Sequence, residues 1–132
     1  MPRMSKLPEP LRWLPAAVMM LAIFAFSSLT ADRLPFFGRL DFLLKKGGHA
    51  IGYAMLAAAY FYALPPRLSP AYRLILAFFM ALLFALSDEF HQSFVEGRTS
   101  TLRDVLIDSG GACSALLLVS LYSSNSRTTS RS

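Results

Sequence analysis

Residues 71–90 read AYRLILAFFMALLFALSDEF, an apolar run with Arg73 near its start and Asp88 and Glu89 near its end. A helix needs roughly 20 predominantly apolar residues to cross the hydrocarbon core of a bilayer. The run therefore predicts a spanning helix whose acidic residues lie where the chain leaves the membrane. Similar apolar runs flank it on both sides, at residues 11–29, 47–64 and 104–122. We expect an all-α, polytopic membrane protein with four transmembrane helices in a small bundle.

Composition supports a membrane environment. Of 132 residues, 55% are apolar and 16% are charged, against a charged share of about 25% in soluble domains. So little polar material cannot cover the surface of a small soluble fold, and the same composition excludes a disordered chain, a collagen-like fibre and a disulfide scaffold. Cys113 is the single cysteine, so no internal disulfide can form. We predict one domain over residues 1–122 and a disordered tail over residues 123–132.

The formal charge of +5 does not indicate nucleic-acid binding, because the basic residues are scattered between apolar runs and form no patch. The bilayer is the expected partner instead. With the N-terminus inside, seven Lys and Arg residues fall on the inner side and six on the outer side. Basic residues favour the cytoplasmic side, and the first span usually dominates. We predict a bacterial inner-membrane protein with both termini in the cytoplasm.

The first run also has the basic flank of a signal peptide, and SSLTA over residues 27–31 is a sequence that a signal peptidase could accept. The length of that run and the three spans that follow favour a retained membrane helix.

Residues whose side chains could take part in catalysis or ligand binding concentrate on one side of this predicted topology. The end of the first span, the start of the second, the end of the third and the start of the fourth share one membrane face. Both histidines and all acids except Glu9 fall on that face or in its loops. Membrane proteins seldom place ionisable groups in or beside spans without a use. The residues concerned are Ser27, Ser28, Lys46, His49, Tyr53, Asp88, Glu89, His91, Gln92, Glu96, Arg98, Asp104 and Asp108.

Helical spacing aligns some of these side chains. Lys46, His49 and Tyr53 are three and four residues apart and form one stripe on the second span. Asp88 and His91 are three residues apart where the third span leaves the membrane. Each residue also has an ordinary structural role available: Lys46 could be a snorkelling interface anchor, and His49 could simply bond to a neighbour.

The fourth span carries a second stripe. Asp104 and Asp108 lie four residues apart, and Gly111 continues the stripe one turn deeper, where a small residue lets a neighbouring helix approach closely. Asp108 needs a partner, either Arg98 or His49, unless it is protonated. Asp104 has a simpler alternative role as a helix N-cap.

Two kinds of chemistry fit this set. His and Asp pairs can perform general acid–base work on an ester or phosphate at the headgroup level, and Arg98 with Lys46 can bind a phosphate. The histidine and carboxylate spacing matches no standard zinc pattern, so we expect no metal and no cofactor. The predicted catalytic candidates are His49, Asp88, Glu89, His91 and Asp104, and the predicted ligand-binding candidates are Lys46, Tyr53, Gln92, Arg98 and Asp108.

Residues 87–98, SDEFHQSFVEGR, resemble the signature of the VanZ-like family of small membrane proteins, roughly S-D-E-x-H-Q-x-F-x-x-G-R followed by Asp, Asn and Gly. Asp104, Asp108 and Gly111 occupy the last part, with Asp108 where the family usually has Asn. Residues 26–28 resemble the family's first-span exit, and residues 46–53 its second-span entry. The resemblance implies a helical membrane fold and a link to cell-envelope stress and glycopeptide antibiotic resistance, and it supplies no reaction.

Three hypotheses follow. The first is a polar pocket on the extracytoplasmic face that engages a phosphate-bearing or peptidoglycan-linked lipid. The second is a membrane hydrolase or transferase that acts on such lipids with His49 or His91 as base. The third is a non-catalytic network that ties the loops at residues 30–46 and 91–103 together.

Overall fold

The chain folds into helices joined by short connections. The structure, a computed structural model, describes residues 6–129, and no strand occurs within that range. This confirms the all-α prediction. In chain order the helices are α1 (Glu9–Arg12), α2 (Leu14–Ser27), α3 (Asp41–Ala63), α4 (Pro70–Gln92) and α5 (Leu102–Thr129), with 3₁₀ turns at Ala31–Arg33 and Gly38–Leu40.

The first predicted span is not one continuous helix. α1 ends at Arg12, Trp13 separates it from α2, and Pro15 lies in the first turn of α2. Proline has no N–H to donate, and its ring clashes with the carbonyl four residues earlier, which here belongs to Leu11. The helix can therefore restart only after Trp13, which leaves α2 with 14 residues.

α3 begins earlier than the apolar run that predicted it. Asp41 accepts a hydrogen bond from the Phe37 amide at 3.2 Å and pairs with Lys45, one turn on, at 2.8 Å. Both contacts stabilise a helical first turn ahead of the apolar stretch. α3 ends at Ala63, before Pro65 and Pro66, as the paired prolines predict.

α5 continues past Tyr122, where the sequence predicts the end of the folded domain. Hydroxyl groups in the last turns bond back to backbone carbonyls: Ser124 to Leu121 at 2.9 Å and Ser126 to Ser123 at 3.0 Å. The helical backbone thus extends through most of the segment expected to be disordered. Residues 130–132 lie outside the described residues.

α3 is central and packs against α5, α4 and α2. The contact faces are lined by small side chains, with Ala77, Ala81 and Ala85 of α4 at most 1% exposed. The closest approach is at Gly111 of α5, where an added Cβ would overlap the Ala50 carbonyl group of α3. This confirms the close helix contact predicted at Gly111.

The outer surface is apolar. Large side chains such as Leu21, Leu83 and Leu118 are 70%, 63% and 68% exposed, a pattern that suits contact with lipid. By length and composition, α4 and the segment Leu102–Arg127 of α5 are each able to cross a membrane, whereas α2 is apolar but shorter.

Candidate functional site

Polar side chains from all four long helices meet at one end of the bundle, where α2 and α4 end and where α3 and α5 begin. Seven of them are at most 5% exposed although they carry charged or polar groups. We call this group the polar cluster: Ser27, Lys46, His49, Tyr53, Asp88, Glu89, Gln92, Asp104 and Asp108.

An ion pair joins α3 to α5 at the rim of the cluster. The Nζ atom of Lys46 lies 2.5 Å from an Asp104 oxygen, and the Asp104 side chain is 7% exposed. Lys46 therefore links α3 to α5, and its predicted part in ligand binding stays a prediction. The N-cap role expected for Asp104 belongs to Thr101, whose hydroxyl accepts a hydrogen bond from the Asp104 amide at 3.3 Å.

One turn deeper, His49 faces Asp108. The His49 Nδ1 atom lies 3.8 Å from one Asp108 oxygen, beyond hydrogen-bond distance, and the other oxygen has no partner within residues 6–129. Asp108 is 2% exposed. Of the two partners predicted for Asp108, the structure brings His49 to it and places Arg98 elsewhere.

Asp88 is held from two sides. One of its oxygens accepts hydrogen bonds from the Ser27 hydroxyl at 2.6 Å and from the Gln92 amide at 3.1 Å. Its other oxygen has no partner among the described residues. The fully buried Tyr53 hydroxyl lies within electrostatic reach of Asp88, although no hydrogen bond of good geometry joins them. Gln92, which the sequence predicts to bind ligand, holds Asp88 in place.

His91 lies outside the cluster. Its Nε2 atom is 3.0 Å from the Ser28 hydroxyl, and its ring stacks on Phe24 with centroids 4.5 Å apart. Although His91 and Asp88 are three residues apart on α4, they contact different residues: Asp88 bonds to Ser27, whereas His91 contacts Ser28 and Phe24.

Glu89 anchors the loop that leads into α5. One carboxylate oxygen accepts a hydrogen bond from the Thr101 amide at 3.1 Å, and the Glu89 carbonyl accepts one from Ser100 at 2.8 Å. Glu89 is 5% exposed. Its carboxylate supports the start of α5 and is separated from bulk solvent.

Arg98 caps the end of α2. It donates hydrogen bonds from Nε to the Leu29 carbonyl at 3.1 Å and from Nη2 to the Phe26 carbonyl at 2.8 Å. A cation is favourable there because the carbonyls of a helix C-terminus carry partial negative charge. Burial lowers the pKa of Arg98, and the nearby Asp88 and Glu89 oppose that shift. Arg98, the residue predicted to bind phosphate, thus uses two of its donors to bond the backbone at the end of α2.

The two loops at this end are joined directly. The Ala31 amide donates to the Glu96 carbonyl at 3.4 Å, and an added Cβ on Gly97 would lie 2.8 Å from the Ala31 Cβ. Gly97 has a φ of +74°, a conformation that favours glycine. These contacts agree with the loop-tying network of the third hypothesis.

The cluster contains more acids than cations. Four carboxylates, of Asp88, Glu89, Asp104 and Asp108, are at most 5% exposed, and Lys46 is paired with one of them. Even so, within the described part of the chain no three His, Cys, Asp or Glu side chains come together in a way that could hold a metal ion.

An apolar cleft of about 510 Å³ opens beside His49, between α2, the loop after it and α3. The sequence reasoning missed this cleft. A signal was present in Gly48 and Gly52, which remove two side chains from one face of α3 four residues apart. The full lining is Ala22, Ile23, Phe26, Leu34, Pro35, Phe37, Leu44, Lys45, Gly48, His49 and Gly52.

Comparison with known proteins gives one match. The model of the family described as VanZ/LLP1 matches residues 10–123, a range that contains the whole polar cluster and the cleft. No curated protein and no solved structure matches the chain.

Proposed function

The chain belongs to the VanZ/LLP1 family, and from that premise we propose that it is a four-span inner-membrane protein that binds a phosphate-bearing or peptidoglycan-linked envelope lipid. The observation that carries the proposal is the apolar cleft, which opens directly beside His49 and the polar cluster. One hydrocarbon chain of the lipid lies in the cleft, and its phosphate-bearing head lies at the polar end of the bundle.

The cleft has the features of a lipid-chain site. Its volume of about 510 Å³ falls within the roughly 300–1,000 Å³ of small-molecule sites. Its walls are mainly aliphatic and aromatic, with Ile23, Phe26 and Leu34 among them. Contact between such a surface and a hydrocarbon chain is favourable, because it removes apolar side chains from water.

The head of the lipid finds a cation at Lys45, which lines the cleft. Lys45 is paired with Asp41, and the two side chains are 24% and 20% exposed. A single ion pair between neighbouring turns of one helix contributes little to stability. Exchange of the Asp41 carboxylate for a lipid phosphate therefore costs little.

Two glycines of α3 provide a test with a matched control. A Cβ added at Gly48 or at Gly47 meets no atom within 4 Å, but only Gly48 lines the cleft. Gly48→Leu places a larger side chain in the cleft, whereas Gly47→Leu adds the same side chain outside it. Lipids extracted from each purified protein are identified by mass spectrometry. We expect one envelope lipid class to be enriched in wild type and Gly47→Leu and lost from Gly48→Leu. Equal lipid content in all three would contradict the proposal.

In the proposed orientation both termini are cytoplasmic and the polar end faces the extracytoplasmic side. Phe36 lies in the loop between α2 and α3 and is 79% exposed. A Phe36→Cys variant that also carries Cys113→Ser has one cysteine, at this loop. We expect a membrane-impermeant maleimide to label it from the extracytoplasmic side, and labelling only after permeabilisation of the inner membrane would reverse the orientation.

A role in tolerance of glycopeptides and envelope stress follows if lipid binding is the protein's activity. Cells that express wild type or Gly47→Leu should survive teicoplanin better than cells without the protein, and Gly48→Leu at equal protein level should not protect. Equal protection by both variants would show that tolerance does not depend on the cleft.

Catalysis on the bound lipid is a second candidate, favoured by the position of His49. Its ring lines the cleft, while its Nδ1 atom faces Asp108. An imidazole with a carboxylate close behind it is a pairing that general acid–base chemistry uses. Purified protein is incubated with a polyprenyl phosphate or another lipid-linked substrate. Turnover by wild type that is lost in His49→Gln, with lipid binding retained, would establish an enzyme.

A further inference from the structure

Two arginines lie at the opposite end of the bundle from the polar cluster. Arg12, at the end of α1, is 5% exposed. Its Nε atom is buried without a hydrogen-bond partner within the described residues. The nearest acid is Glu9, at 3.7 Å, whose own side chain is 68% exposed. That distance is too long for a hydrogen bond, so Glu9 compensates the charge of Arg12 only in part.

Arg73, in the first turn of α4, lies over the last turns of α3. Its guanidinium carbon is 4.2 Å from the centre of the Phe61 ring, and its Nη2 donates to the Phe61 carbonyl at 2.8 Å. Its Nε, like that of Arg12, is buried without a partner among the described residues. Arg73 is therefore held in place by α3, while its Nε N–H group has no acceptor among the described residues.

The two arginines belong to one neighbourhood. Trp13, which follows Arg12, packs against Tyr60 with ring centroids 6.4 Å apart, and Arg73 packs on the adjacent Phe61. Their positive charges act on each other. Like charges in partly buried surroundings repel, and each loses hydration. Glu9 is the one acidic side chain near this end among the described residues, so an added anion would be stabilised here.

We propose that Arg12 and Arg73 form a binding site for a phosphate group at this end of the bundle. The planar guanidinium fork presents parallel N–H donors that match phosphate oxygens, often in pairs. The site lies where α1 meets the end of α3, at the level of Trp13, an amphipathic side chain that favours the membrane interface. The phosphate comes from the headgroup of an anionic phospholipid or from the free ion. The site is separate from the cleft beside His49 and does not depend on the function proposed there.

Binding is measured by native mass spectrometry of the protein in a non-ionic detergent, with phosphatidylglycerol, phosphatidylcholine or inorganic phosphate added. Every measurement is repeated in the Gly48→Leu background, which removes lipid from the cleft. Arg12→Gln is the test variant. Arg67→Gln is its control, because Arg67 is an exposed arginine in the loop at the same end.

We expect phosphatidylglycerol to bind at least tenfold more tightly than phosphatidylcholine. Arg12→Gln should abolish that preference and Arg67→Gln should preserve it. Displacement of phosphatidylglycerol by inorganic phosphate would identify a site for the free ion, and absence of displacement would identify a headgroup site. Both outcomes support the phosphate site.

Equal loss of preference in Arg12→Gln and Arg67→Gln would overturn the proposal, since diffuse surface charge would then explain binding. No preference in wild type, with no binding of inorganic phosphate, would also overturn it without any variant. If Arg12→Gln fails to fold, Arg12→Lys and Arg73→Gln take its place. The lysine keeps the charge but loses the fork, so a weakened preference is expected.

Discussion

Two adjacent glycines in α5 should respond in opposite directions to the same substitution. At Gly111 an added Cβ would lie 2.8 Å from the Ala50 carbonyl carbon and 2.9 Å from the Ala50 Cα, and would overlap the carbonyl oxygen. At Gly110 the added Cβ meets no atom within 4 Å. The atoms in the way at Gly111 are backbone, so no side-chain rotation relieves the overlap and α3 and α5 have to separate.

The size of the effect follows from two opposed contributions. Gly→Ala inside a helix stabilises by about 1 kcal/mol, and overpacking a tight contact costs about 1–3 kcal/mol. Because the obstacle at Gly111 is backbone and cannot rotate away, we expect a cost in the upper part of the overpacking range. Gly111→Ala should therefore lower the free energy of unfolding by about 1–2 kcal/mol after the helix gain, while Gly110→Ala should raise it by up to about 1 kcal/mol.

Unfolding is followed by circular dichroism as a denaturing detergent replaces a mild one. The two variants should differ by about 2–3 kcal/mol, which is roughly a 30- to 150-fold difference in the unfolding equilibrium. Separation of the helices should also lengthen the Lys46–Asp104 and His49–Asp108 contacts. Equal stability of the two variants would refute the close approach of α3 and α5 at Ala50.

Other predictions concern the ion pairs and the cap. Arg98→Ala should lower the free energy of unfolding by about 1–2 kcal/mol in the same assay, because two charge-assisted hydrogen bonds are lost. An unchanged unfolding midpoint would show that Arg98 does not stabilise the end of α2. Lys46→Asp and Asp104→Lys should each destabilise, and the double variant should recover part of the loss, whereas additive losses would mean that the pair does not couple. The hydrogen bond from Lys45 lowers the pKa of Asp41, so its contribution should be present above the usual Asp pKa and be lost as pH falls through the lowered pKa. Carbon-13 NMR should show that the pKa of Asp41 is higher in Lys45→Ala than in wild type. An unchanged pKa would show that Lys45 is not the cause of the shift.

The parts of the site that follow from helical spacing could be predicted from the sequence. Lys46, His49 and Tyr53 do lie on one side of α3, and Gly111 does permit a close contact, because both features depend on a period of 3.6 residues and on side-chain size alone. The meeting of α3 and α5 at Lys46 and Asp104 also agrees with the alternating order of the apolar runs.

The contacts that involve backbone atoms could not be predicted in this way. Arg98 bonds to carbonyls of Phe26 and Leu29, and every residue carries a carbonyl, so the sequence holds no sign of which one is taken. The inward turn of Asp88 likewise depends on the packing of α2 beside α4. The cleft is built by three separate elements, and its shape depends on how far apart they lie.

The most direct test of lipid binding in the cleft uses two exposed phenylalanines at the same end of the bundle. Phe37 lines the cleft, whereas Phe90 lies on the outer surface of α4, with exposures of 48% and 69%. Each is replaced in turn by a photoreactive benzophenone amino acid, and the lipid joined to it on illumination in native membranes is identified by mass. A lipid held in the cleft predicts one enriched envelope lipid class at position 37 and the bulk membrane mixture at position 90. The same bulk mixture at both positions would contradict it.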